Sequence, residues 1–169
     1  MKVHKLQKRH KSNLKKFLSE LDKATTHDYT HFGYSLDPAK ASKSVFRELK
    51  KKELRGYVLV EGQRIIGFGH LNFFSVKQKR HVVRLGIVLH PVYQGKGLGK
   101  ILLDYMISDA NRLGKEKIWL ATYSDNPRAL ELYRGRGFTI EGVFRKEEKV
   151  NGKYRDVLSL ALFLNRRKK

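Results

Sequence analysis

The chain has no cysteine, so disulfides and thiolate metal sites are excluded and no metal is expected. That absence fits a cytoplasmic protein. No apolar run approaches the roughly 20 residues of a membrane span, and the opening "MKVHKLQKRHKSNLKK" is too polar for a signal peptide. No membrane partner is therefore expected. Proline is scarce, with three residues in 169, and no Pro/Gly/Ser-rich stretch or internal repeat marks a linker. One domain over residues 1–169 follows as the expectation. Acidic residues are also few: 16 Asp and Glu face 37 Lys and Arg, a formal net charge of +21. An excess of that size suits nucleic acid, an acidic surface or an anionic ligand. The basic residues crowd positions 1–16, "RELKKKELR" (47–55) and "NRRKK" (165–169), and elsewhere stand singly. This scatter argues against one nucleic-acid groove, and no zinc-finger or RNA-binding aromatic signature accompanies it.

What is present is enough for a buried core: 40% hydrophobic residues, among them nine Phe, eight Tyr and one Trp. "MKVHKL" reads as a short edge strand. Leu14, Phe17, Leu18 and Leu21 recur at helical spacing over 12–22, with Ser12 as the expected cap. "TTHDYTHFGYSLD" (25–37) reads as a loop, and a second helix is expected from Pro38 to Lys52. "GYVLVE" and "RIIGFGHLNFF" flank a turn at Gly62-Gln63, and "HVVRLGIVLH" (81–90) supplies the next strand. A helix follows with Leu98, Ile101, Leu102, Tyr105, Met106 and Leu113 on one face, and Gly114 ends it. "KIWLAT" (117–122) has the continuous apolar character of a strand covered on both faces. "NPRALELYRGRG" gives a short helix with Pro127 in its first turn. "FTIEGVFRKEEKV" and "KYRDVLSLALFL" pair across Asn151-Gly152, a strong hairpin signal. The sum is a mixed α/β domain.

Between the third of these strands and its helix lies "QGKGLGK" (94–100). A triphosphate loop needs a glycine where Gln94 stands, and Ser or Thr where Ile101 stands. A dinucleotide fingerprint needs a wider spacing than Gly95, Gly97 and Gly99 offer. Both readings fail. Gln/Arg-x-x-Gly-x-Gly/Ala fits at Gln94, Gly97 and Gly99. Glycines there let backbone N–H groups turn inward as an anion nest, and a helix beginning near Leu98 adds its positive end.

In this context the segment resembles the acetyl-CoA pyrophosphate loop of the GNAT family of N-acetyltransferases. The later "SDNPRALELYRGRGF" (124–138) resembles that family's second cofactor segment, through Asn126, Ala129, Leu132-Tyr133 and Gly137-Phe138. Glu141-Gly142 and "NGKYRDVLSLAL" resemble its C-terminal end, so the likeness runs over 57–163. It implies the acyl-CoA N-acyltransferase fold: a mostly antiparallel twisted sheet of six or seven strands, splayed at a parallel pair, with about four helices. Residues 1–55 would form the variable acceptor side, 56–163 the cofactor core and hairpin, and 164–169 a basic tail.

The activity implied is direct transfer of acetyl from acetyl-CoA to a primary amine of a small molecule, amino sugar or peptide. By resemblance, the backbone of Ile87, Val88 and Leu89 contacts the pantetheine arm, and one N–H there holds the developing oxyanion. Gln94, Gly95, Lys96, Gly97, Leu98, Gly99 and Lys100 cradle the pyrophosphate. Tyr133 donates a proton to the departing thiolate, a role suited to a phenol protonated at neutral pH. Asn126 either caps its helix or bonds the cofactor, with cofactor contact favoured.

The positions where relatives carry a catalytic glutamate are Arg84 and Ala121 here, so no base is assigned. His70, His81, Glu141 and Tyr123 are candidates. Acceptor recognition would fall to the first two helices, their loop (His27, Tyr29, His31, Phe32, Tyr34) and Tyr154 of the late hairpin. The positive charge argues against a polycation acceptor, and a homodimer is compatible with the pattern. The rival reading is a catalytically silent CoA-binding module attached to nucleic acid or a ribosome through its basic surface.

Overall fold

A computed structural model describes residues 1–24 and 37–164. Seven strands, β1 (Lys2–Lys5), β2 (Leu54–Glu61), β3 (Arg64–Phe73), β4 (Val82–Leu89), β5 (Lys117–Tyr123), β6 (Thr139–Val150) and β7 (Lys153–Phe163), form one sheet. Their spatial order is β1-β2-β3-β4-β5-β7-β6. Every neighbouring pair is antiparallel except β4 and β5, which run parallel. The helices are α1 (Lys11–Ala24), α2 (Pro38–Lys50), α3 (Leu98–Arg112) and α4 (Pro127–Arg134). Among the described residues, the expected mixed sheet with one parallel pair and four helices is what forms.

Alternation along the strands divides the sheet into two faces. On one, Tyr57, Leu59, Leu71, Val83, Leu85, Ile118, Leu120, Leu158 and Leu160 pack under Leu102, Leu103 and Met106 of α3. On the other, Leu54, Val58, Phe68 and Val88 pack against Leu14, Phe17 and Leu21 of α1 and Val45 of α2. Met106 fits because β3 has no side chain beneath it: a Cβ on Gly69 would lie 2.4 Å from its Sδ.

Local chemistry explains most of the ends. Asp37 caps α2, accepting from the N–H groups of Ala39 and Lys40 at 2.8 and 3.0 Å. Pro38, Pro91 and Pro127 each open a helical turn, where a missing N–H has no consequence. Asn151 and Gly152 both take positive φ, 49° and 80°, as the two-residue hairpin turn requires.

Four expectations need correction. Ser12 is no cap: α1 starts at Lys11, directly after a 3₁₀ turn over Lys8–His10, so Ser12 already lies inside the helix. The second helix stops at Lys50 rather than Lys52, whose φ of 60° is incompatible with a continued helix. On α3 Ile101 is exposed, and Leu103 and Ala110 take the buried positions. The helix rolls so that these residues face the sheet, a choice that helical spacing alone leaves open. Strand β5 is also less enclosed than a continuous apolar run suggests, since Trp119 and Ala121 are only half-buried.

Candidate active site

The two central strands pair over three rungs only: Val82 with Lys117, Val83 with Ile118, and Arg84 with Trp119. Beyond Arg84, β4 stays bonded to β3, with Gly69 opposite Ile87, Phe68 opposite Val88 and Gly67 opposite Leu89. Over the same stretch β5 stays bonded to β7. The strands therefore diverge into a V whose vertex is Arg84 and Trp119. The edge of β4 that carries Ile87, Val88 and Leu89 faces this opening with no β5 partner.

At the open end of β4 the chain makes a 3₁₀ turn over Pro91–Tyr93 and enters the glycine loop. Gln94 Nε2 donates to the Leu89 carbonyl at 3.1 Å, which ties the loop to the strand end. Gly95 and Gly97 have φ of 74° and 73°, a left-handed conformation disfavoured for side-chain-bearing residues. A Cβ at either would meet nothing within 4 Å, so both glycines border open space. Gly97 is the N-cap of α3, makes no side-chain cap bond, and no acidic residue occupies the first turn. Among the described residues, no N-cap side chain or first-turn carboxylate serves the first N–H groups of α3, as an anion site requires. Leu98 is buried beneath the loop, whereas Lys96 and Lys100 are exposed. Lys96 Nζ lies 5.6 Å from the Tyr93 ring centroid. Gly99 sits close to α4, since a Cβ there would lie 3.3 Å from Leu132.

Helix α4 brings Tyr133 into the core beside Phe138, with ring centroids 5.6 Å apart. Tyr133 is 6% exposed. Burial pushes its phenol well above the ordinary tyrosine value, so it stays protonated across the physiological range. Its hydroxyl has no hydrogen-bond partner among the described residues. Asn126 caps α4 through Oδ1, which accepts the Ala129 N–H at 3.1 Å. The helix cap is therefore formed, and any additional contact is left to its Nδ2.

The base candidates fare unequally. His70 is buried on the α1/α2 face, and its Nδ1 donates to Asn72 Oδ1 at 2.5 Å. Burial, with a smaller push from Arg84, lowers its pKa to about 3, too low for a proton acceptor at neutral pH. His81 is exposed in the turn before β4. Glu141 is held by Lys117, whose Nζ donates to both carboxylate oxygens at 2.7 Å. Tyr123, at the splayed end of β5, donates to Glu148 at 2.6 Å beneath the Arg155 guanidinium, 3.4 Å from its ring centroid. Tyr123 thus has a carboxylate to take its proton.

Of the acceptor-side residues, His27, Tyr29, His31, Phe32 and Tyr34 lie outside the described residues. Tyr154 is exposed near the hairpin end, between Lys146 and Lys149. Two further residues on the α1/α2 face carry no local motif. Glu48 of α2 accepts from Ser44 Oγ at 3.0 Å and from Asn72 Nδ2 at 3.1 Å. Trp119 lies under Arg84, whose guanidinium carbon is 5.6 Å from the ring centroid. The Glu48–Asn72 and Arg84–Trp119 pairings join residues 24 or more positions apart, beyond the reach of sequence spacing.

A sequence model of the Acetyltransferase (GNAT) family matches residues 16–138. The chain belongs to that family. It is 28% identical over 117 residues to spermidine N(1)-acetyltransferase of Escherichia coli K12, covering 67% of this chain and 60% of that protein's length. It is 31% identical over 120 residues to an L-amino acid N-acyltransferase of the same strain, covering 69% and 70% of the two chains. A GNAT-family acetyltransferase from Streptococcus pneumoniae has the same fold, with TM-score 0.83 at 23% identity over 96% of this chain and 99% of that one. So does a Salmonella typhimurium acetyltransferase solved with acetyl-CoA, with TM-score 0.80 at 21% identity over 99% and 96%.

Proposed function

We propose that the protein transfers acetyl from acetyl-CoA directly to a primary amine of a small molecule, amino sugar or peptide. The observation that carries this reading is the V between β4 and β5, open onto a glycine cradle at the α3 N-terminus. Bound acetyl-CoA would supply an activated acetyl thioester. Residues 94–100 would hold its pyrophosphate through Gly95, Gly97 and the first N–H groups of α3, with Lys96 and Lys100 adding charge. The free edge of β4 at Ile87–Leu89 would bond the pantetheine arm, and an N–H there would stabilise negative charge on the carbonyl oxygen. The neutral amine would attack the thioester carbonyl carbon, its C–N bond forming as the C–S bond breaks. Tyr133 would give its proton to the sulfur, and the amine's surplus proton leaves to solvent or to a nearby group. Asn126 Nδ2 is free of the cap and is the group by which that residue would reach the cofactor.

The relatives' names span spermidine, L-amino acids, and the alanine of a ribosomal protein, which supports an amine acceptor without choosing one. They are all named for acetyl or acyl transfer, so the silent-module reading finds no support among them. Two measurements test the proposal. Titration calorimetry should show acetyl-CoA binding, and an amine panel should release free CoA thiol. No binding near 1 mM, at about −4 kcal/mol, would sink it.

A further inference from the structure

One end of the sheet gathers positive charge that the sequence spreads over separate segments. At the end opposite the glycine loop, where β4 and β5 are still paired, three connections meet: 51–53 into β2, 74–81 between β3 and β4, and 113–116 into β5. Hydrogen bonds join them. The Phe73 N–H donates to the Glu53 carbonyl at 2.9 Å, and the Glu116 N–H to that of His81 at 2.9 Å. Lys115 ties the third connection to the second, its Nζ donating to the Arg80 carbonyl at 2.6 Å. Lys51, Lys52, Lys77, Lys79 and Arg80 are exposed, and among the described residues none of them is in an ion pair. The carboxylates of the three connections are Glu53 and Glu116. Nearby, Lys5, Arg55 and Arg112 share the single carboxylate of Asp109. Lys50 and Arg112 offset the C-terminal dipoles of α2 and α3. Lys52, Lys77, Lys79 and Arg80 lie outside any α-helix and have no such role. Like charges held together repel and cost stability, so folding does not account for them.

We infer that this end of the sheet is a docking surface for the phosphate backbone of nucleic acid, one that reads charge rather than base sequence. The ends of β2, β3, β4 and β5 spread the connections over about 15 Å, at roughly 4.8 Å per strand. Cations in such a row neutralise neighbouring phosphates and release their counterions. A protein partner would need apolar or aromatic anchors at the centre of the patch, and a bilayer would need side chains that insert. Val76 is the one exposed large hydrophobic residue of the three connections. The Phe73 and Phe74 rings lie against lysines, with centroids 5.0 Å from Lys115 Nζ and 5.5 Å from Lys79 Nζ. The surface is at the far end of β4 from residues 94–100, so a duplex bound there leaves the glycine loop open.

Fluorescence anisotropy of the full chain with a labelled, mixed-sequence DNA duplex of about 20 base pairs tests this. Binding should be in the micromolar range at about 50 mM salt and weaken steeply as salt rises. A triple variant, Lys77→Gln with Lys79→Gln and Arg80→Gln, should bind about tenfold or more weakly. Its log–log salt slope should fall by about 2–3, near one for each phosphate contact removed. A second triple variant, Lys146→Gln with Lys149→Gln and Lys153→Gln, takes the same charge from the β6–β7 hairpin and should lose much less. Equal losses in the two variants would mean attraction to net charge alone and overturn the inference. No binding at about 0.1 mM protein in low salt overturns it too. So does equal or tighter binding of phosphatidylglycerol vesicles or of polyglutamate. Circular dichroism reports the fold of each variant. Should the first triple variant unfold, Lys77→Gln with Arg80→Gln, which leaves Lys79 against Phe74, replaces it, with the slope lowered by about 2. Acetyl-CoA affinity should be the same in all of them. Duplex binding by a chain that transfers no acetyl group still upholds the surface, so the two proposals fail separately.

Discussion

Tyr57 of β2 donates its phenolic hydrogen to Asp109 Oδ2 of α3 at 2.7 Å, in the buried layer between the sheet and that helix. Arg55 donates to the same oxygen at 3.0 Å, and Lys5 and Arg112 approach Oδ1. Asp109 is 1% exposed. Burial alone would raise its pKa, but the hydrogen bonds from Tyr57, Arg55 and Lys5 and the charge of Arg55 outweigh this and hold it at about 2.

A folded pKa of about 2, against an ordinary 3.8, means Asp109 contributes stability that is complete above 3.8 and lost as pH falls toward 2. The contribution is about 2 kcal/mol. Asp109→Asn should lower stability at pH 7 by about 2–4 kcal/mol, because three cations lose their partner. It should also flatten the stability profile between pH 4 and 2. Urea unfolding of both proteins across that range checks this, and parallel profiles would count against it.

His70 produces a second, separate pH window. Its pKa falls from 6.5 to about 3 in the folded state, chiefly through burial. The unfolded chain therefore takes up a proton first, and stability should fall as pH drops below 6.5, by about 1.4 kcal/mol per unit. His70→Gln should remove that slope between pH 6 and 4 while leaving the Asp109 window intact. Denaturant midpoints measured at half-unit steps distinguish the two windows.

Replacing Gly97 tests the loop. Gly97→Ala places a Cβ on a residue with φ of 73°, for a strain of about 1 kcal/mol, and directs it into open space beside the α3 N-terminus. Acetyl-CoA affinity should fall about tenfold with only a small change in unfolding midpoint. A stability loss with unchanged affinity would make the glycine a structural turn only.

Tyr133→Phe keeps the ring against Phe138 and removes only the hydroxyl. Acetyl-CoA affinity should be nearly unchanged, and kcat should drop about 100-fold or more. Because burial raises the phenol's pKa, no basic limb from Tyr133 should appear in the pH–rate profile below pH 10. Stopped-flow and steady-state rates of the two proteins decide it, and equal turnover would remove Tyr133 from the acid role.

The parts legible beforehand are those encoded within a few residues. The left-handed Gly97 at the head of α3, the Asn151-Gly152 turn, and prolines opening α2 and α4 all follow from backbone preferences local to each site. Asn126 was legible only as an alternative, because a cap and a cofactor contact use the same residue type at the same place. Ser12 and Ile101 misled for a related reason. Spacing says that a helix has an apolar face, but neighbouring elements decide where it starts and how far it rolls.

By itself, the sequence determined a mixed α/β chain with a phosphate-competent loop between a strand and a helix, and a tyrosine on a later helix. Only the tertiary structure decided that β4 and β5 part after three rungs, because each strand finds its remaining partners on the opposite side, in β3 and β7. That divergence opens the edge of β4. It also puts Arg84 over Trp119, a contact across 35 positions of sequence that no local pattern encodes, since it depends on two strands meeting in one register.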